Sequence, residues 1–137
     1  MPFEIRFVKP VPPLDRETYL NECCVGGDVV MNRLLPAIRH RYTDVFEGQE
    51  DWGWFVWFRK GIVAFAVDIF TDDPEAGSFR IHLTSRKKRW LLFDIVEDTP
   101  ELEELQRLMA SELAEWVGHP CRSTRLDSKH MQLGEGT

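Results

Sequence analysis

The sequence predicts an α+β fold: an antiparallel β-meander of four to five strands, a long C-terminal helix packed on one face, and short N-terminal helices. Three observations lead there. Between Trp52 and Ile95 apolar residues recur at every second position, rich in β-branched and aromatic types, with turn residues at intervals of about ten. Downstream, Leu102, Leu105, Met109, Leu113 and Trp116 recur at helical spacing, and upstream Val30, Met31, Leu34, Leu35 and Ile38 do the same. A chain of 137 residues, 43% hydrophobic, supports one core and makes two marginal, so residues 1–137 read as a single domain with 122–137 a partly ordered polar tail.

Taken in order, Phe3-Glu4-Ile5-Arg6-Phe7 alternates apolar and charged residues as a short edge strand does, and Pro10, Pro12 and Pro13 end it because they lack N–H donors. Asp15 is placed to cap a short helix with Leu20, Cys23 and Cys24 on its apolar side, closed by Gly26-Gly27. Asp28 caps the next helix. Pro36 either kinks that helix or opens a new one that turns Ile38, Tyr42, Val45 and Phe46 inward. Four strands follow, at Trp54–Arg59, Ile62–Phe70, Ser78–Ser85 and Trp90–Ile95. A turn at Lys60-Gly61 sets Arg59 opposite Ile62, with Trp57 beside Ala64 and Phe55 beside Ala66. One face then collects Trp54, Val56, Phe58, Val63, Phe65, Val67 and Ile69 as a core. Arg86-Lys87-Lys88 serves as the last tight turn. Thr99-Pro100-Glu101 combines a cap, a first-position proline and an acid at the positive end of the helix dipole, and Gly118 and Pro120 stop that helix.

The charge balance, 17 basic against 23 acidic residues and a net of −6, weighs against a dedicated nucleic-acid binder, because phosphate neutralisation supplies most of that affinity. No run approaches the roughly 20 apolar residues of a membrane span, and Met1 to Arg6 lacks the apolar core of a secretory signal, so the expected setting is cytoplasmic with no membrane partner. Three cysteines without a Cys-x-x-Cys pair argue against a disulfide framework and a structural zinc site. His119, Cys121, His130 and the Cys23-Cys24 pair lack ligand spacing. No phosphate-binding loop or hydrolase elbow is present. No cofactor or metal is expected.

A meander puts alternate connections at the same end of its sheet. Arg59, Lys60, Arg86, Lys87, Lys88 and Arg89 therefore share an expected basic rim, while Glu50, Asp51, Asp72, Asp73, Glu75, Glu97, Asp98 and Glu101 form an acidic rim opposite it. Hairpin tips are charged in most soluble proteins, which is the plainer explanation of both. The second sheet face carries Trp57, Asp68, Arg80, His82, Trp90 and Asp94, a candidate pocket in which Asp68, His82 and Asp94 supply proton transfer if burial shifts their pKa values. Covering that face with the N-terminal helices turns the same residues into ordinary ion pairs. The functional expectation is a non-enzymatic protein-binding module that grips a charged partner through a polarised surface, as immunity-type inhibitors and secretion chaperones do. The alternative is a small-ligand protein or enzyme using the second face, and the oligomeric state is monomer or homodimer.

Overall fold

In the computed structural model, which describes residues 2–11, 16–88, 95–97 and 99–126, the chain is α+β. Its strands are β1 (Phe3–Val8), β2 (Thr43–Glu50), β3 (Gly53–Lys60), β4 (Val63–Asp73), β5 (Ser78–Lys88), β6 (Ile95–Val96) and β7 (Arg122–Arg125), and its helices are α1 (Gly27–Arg41) and α2 (Pro100–Val117). The sheet order is β2-β3-β4-β5-β1-β7, with β6 paired to the outer end of β5. Every pairing is antiparallel.

Alternation does its expected work on β3 and β4, where Val56, Phe58, Val63, Phe65, Val67 and Ile69 are buried. They join Ile5, Phe7, Phe79, Ile81 and Leu83 from β1 and β5 in one core with Val30, Met31, Leu34, Leu35 and Ile38 of α1 and Leu102, Leu105, Met109 and Leu113 of α2. Both helices therefore lie on the same face. Arg33 Nη1 donates to Glu112 Oε2 at 2.8 Å and ties α1 to α2. Thr99 caps α2 by accepting from the Leu102 amide, as its sequence position implies. Of the two short 3-10 turns at Arg16–Thr18 and Glu22–Cys24, the first is held where Gln49 Nε2 donates to the Thr18 carbonyl at 3.1 Å, and the second where Thr71 Oγ1 donates to the Val25 carbonyl at 2.7 Å and Trp54 Nε1 to that of Cys24 at 2.8 Å.

Several expectations are corrected. β1 is no edge strand: it sits between β5 and β7. The described strands number seven rather than four to five, because β2 and β7 carry few apolar residues and leave no alternation to read. Pro36 lies inside α1, so of its two readings the one in which it opens a new helix does not hold. Tyr42 is the C-cap, while Val45 and Phe46 belong to β2 and Phe46 points to solvent. In place of a short helix before Gly26 stand the 3-10 turns, with Leu20 and Cys23 exposed and Cys24 buried. The β3–β4 turn is Gly61-Ile62, so Lys60 faces Val63 and Trp57 faces Ala66. That slip of two residues preserves which face each side chain occupies. Arg86, Lys87 and Lys88 are part of β5, with Lys87 opposite Val96 and Lys88 opposite Ile95, so they form no tight turn. Residues 122–125 of the expected tail form β7 against β1. The Asp15 cap, Pro12 and Pro13, the strand beginning at Trp90, and residues 127–137 lie outside the described residues.

Candidate functional site

The sheet face turned away from the helices is organised by register into rows of side chains. Arg59, Ala64 and Arg86 stand abreast on β3, β4 and β5. Trp57, Ala66 and Thr84 form the next row, with Phe46 beside Trp57 on β2. Then come Phe55, Asp68, His82 and Glu4, and after them Phe70, Arg80, Arg6 and Arg122. No described helix packs on this face, so the alternative in which the N-terminal helices cover it does not hold.

The first two rows enclose a groove of about 630 Å³ lined by Asp44, Phe46, Trp57, Arg59, Ala64, Ala66, Thr84 and Arg86 together with atoms of Phe58 and Phe65. The depression follows from residue size. Two alanines and a threonine sit between tall neighbours, and the tilted rings of Phe46 and Trp57, 6.0 Å apart, raise one wall. That wall is exposed, with Phe46 at 59% and Trp57 at 49% of full accessibility. It is held up by Phe55, whose ring lies 4.5 Å from Trp57 and 5.8 Å from Phe46. Phe55 itself lies over Gly48, where an added Cβ would meet its ring at 2.8 Å. Arg59 and Arg86 make no ion pair among the described residues, and both are exposed. Arg59 and Arg86 thus line the groove from either side of Ala64, and Asp44 lines it with them.

Beyond the groove the face changes character. Burial pushes the Asp68 carboxyl up to about 6. His82 Nε2 lies 3.0 Å from Glu4 Oε1, and Arg6 Nε donates to Glu4 Oε2 at 2.9 Å. Arg80 Nε stands 3.3 Å from Asp72 Oδ1, with its guanidinium 4.6 Å from the centre of the Phe70 ring. Trp52 continues the aromatic series, 5.2 Å from Phe70 and 6.5 Å from Phe55.

Of the residues singled out by sequence, Asp68, Arg80 and His82 do come together in adjoining rows, and Trp57 stands one row away. They do not line the groove, which Trp57 and the arginines form instead. Trp90 and Asp94 lie outside the described residues, as do Arg89 and Asp98. The two rims are mixed. Glu50, Asp51, Asp72, Asp73 and Glu75 do gather at the β2–β3 and β4–β5 turns. Glu97 and Glu101 stand instead at the end that carries Arg59, Lys60, Arg86, Lys87 and Lys88, because Ser85 Oγ donates to the Glu97 carbonyl at 2.9 Å and Lys60 Nζ lies 3.9 Å from Glu104 Oε2.

Sequence reasoning missed Asp44, Glu4 and Phe46. Glu4 had a signal, a charge in phase with the second face on β1; Phe46 had none, since it continues a helical spacing. Cys121 is half-buried and burial raises its thiol pKa, which weighs against a reactive role. Among the described residues no three His, Cys, Asp or Glu side chains converge as metal ligands, and no helix is long and apolar enough to cross a membrane. Comparison of the chain with protein-family models, with curated proteins and with solved structures gives no match in any of the three.

Proposed function

We propose that the protein is a non-enzymatic binding module that grips an acidic segment of a protein partner in the groove between Phe46, Trp57 and the Arg59–Arg86 pair. The observation that carries this reading is the two guanidinium groups astride Ala64, neither in an ion pair among the described residues, next to an exposed tryptophan. Tryptophan and arginine dominate binding hot spots because each combines a large apolar area with directional polar contacts. The partner's carboxylate sits between the arginines while an apolar side chain fills the space over Ala66 against Trp57. A protein suits this groove better than a small molecule. Small-ligand sites bury about 70–90% of their ligand, whereas a wall this exposed needs further partner surface to shut out water.

Co-precipitation from the source cell tests the reading, with wild-type protein, the Arg59→Ala/Arg86→Ala double variant and Trp57→Ala as baits. The expected result is a partner lost with the double variant and weakened at least tenfold by Trp57→Ala. A partner retained equally by all three baits overturns it. The groove's volume favours a second reading, since 630 Å³ falls within the roughly 300–1,000 Å³ of small-molecule sites. A thermal shift with 2-naphthoate that disappears in the double variant selects that reading instead.

A further inference from the structure

Just past the groove the same face holds a charge that the fold leaves unused. Asp68 lies on β4 four residues from Ala64, which at the rise of a strand is about 13 Å. No hydrogen bond or ion pair reaches its carboxylate among the described residues. The neighbouring acids are all engaged: Glu4 with Arg6 and His82, and Asp72 with Arg80. The groups facing Asp68 are Phe55 from β3 and His82 from β5, with Arg80 one row further along. His82 is turned to Glu4 and Arg80 to Asp72 and the Phe70 ring. A half-buried carboxylate without a partner costs stability. Alanine or threonine, which fill the preceding row at Ala66 and Thr84, would occupy the position without that cost.

Building on the groove reading above, we propose that the bound segment is extended and carries a carboxylate, an apolar residue and a lysine or arginine at alternate positions. The acid is seated between Arg59 and Arg86, the apolar side chain over Ala66, and the base on Asp68. The match is one of spacing. In an extended chain, residues i, i+2 and i+4 point to one side and advance about 13 Å, the same advance that separates Ala64, Ala66 and Asp68 along β4. Binding of the cation requires Asp68 ionised, so it depends on pH around the value of about 6 to which burial brings that carboxyl.

Two peptides test the proposal, acetyl-Glu-Ser-Leu-Ser-Lys-amide and its reversed sequence, each beside a counterpart with Gln replacing Lys, titrated into the protein while its amide resonances are followed. At pH 7.5 at least one Lys peptide should bind about fivefold more tightly than its Gln counterpart. That advantage should vanish in Asp68→Asn and shrink at pH 5. If Gln and Lys peptides bind the wild type equally, and the Arg59→Ala/Arg86→Ala variant binds neither, the groove reading stands and the role of Asp68 falls. If no peptide shifts the resonances of Trp57, Ala66 or Arg86, both fall.

Discussion

At the level of single residues, Asp68 sets the pH behaviour of the second sheet face. Its carboxyl, raised from an ordinary 3.8 to about 6 by burial, binds an extra proton in the folded state between those two values. Its contribution to stability is therefore most favourable at low pH, falls as pH rises from about 4 to 6, and stays at its lower value above. Asp68→Asn removes the ionisation while keeping the shape. Urea unfolding should find the variant about 1–2 kcal/mol more stable than wild type at pH 7.5, after allowance for solvent screening of a half-buried group, and equal to it near pH 4. Equal stability at both pH values removes the desolvation argument. Gly53 gives the opposite kind of case. With φ at +153°, a Cβ there would lie 2.1 Å from the Ile69 carbonyl oxygen, a backbone clash that no rotamer relieves. Gly53→Ala should lower stability by about 3 kcal/mol or more in the same measurement.

The elements show where periodicity suffices and where it fails. α2 is fully written in the chain: the Thr99 hydroxyl accepts from the Leu102 amide at 3.2 Å and shares a 2.9 Å hydrogen bond with Ser85. Thr99→Ala should therefore cost about 1–2 kcal/mol in thermal unfolding, and Thr99→Ser should recover most of it. Loss of stability in both variants alike would assign the effect to packing of the threonine methyl. The faces of β3, β4 and β5 were equally legible, since alternation survives a register slip of two residues, but the slip itself was not. Nothing local distinguishes a Lys60-Gly61 turn from Gly61-Ile62. β2 was hidden because Asp44, Glu47, Gln49 and Glu50 mask its alternation while Tyr42, Val45 and Phe46 prolong the helical spacing of α1. β7, as Arg-Ser-Thr-Arg, has no apolar pattern at all and exists through its pairing with β1. The groove was half visible for the same reasons. Trp57, Ala64 and Ala66 follow from the face assignment, whereas Phe46 depends on finding β2 and Arg86 on seeing that β5 continues past Ser85.

Over the whole molecule, the charges behind the net of −6 do not resolve into two opposed poles among the described residues. Thr99 and the acidic first turn of α2 dock beside the end of β5, so Lys60 meets Glu104, and the Glu97 carbonyl accepts from Ser85. Charges of both signs at one end largely cancel beyond a Debye length of about 8 Å at physiological salt. Long-range steering by an acidic pole is then weak, and the salt sensitivity of partner capture should reside in the Arg59–Arg86 pair. The decisive comparison sets that double alanine variant against a quadruple variant, Glu50→Gln, Asp51→Asn, Asp73→Asn and Glu75→Gln, which removes every charge of the acidic end except that of Asp72 in its pair with Arg80. In association kinetics at rising salt, the quadruple variant should keep its rate within about twofold of wild type and retain the wild-type slope, while the double variant loses the slope along with the binding. If instead the quadruple variant abolishes the salt dependence and the double variant keeps it, the acidic end is the gripping surface and the groove is not.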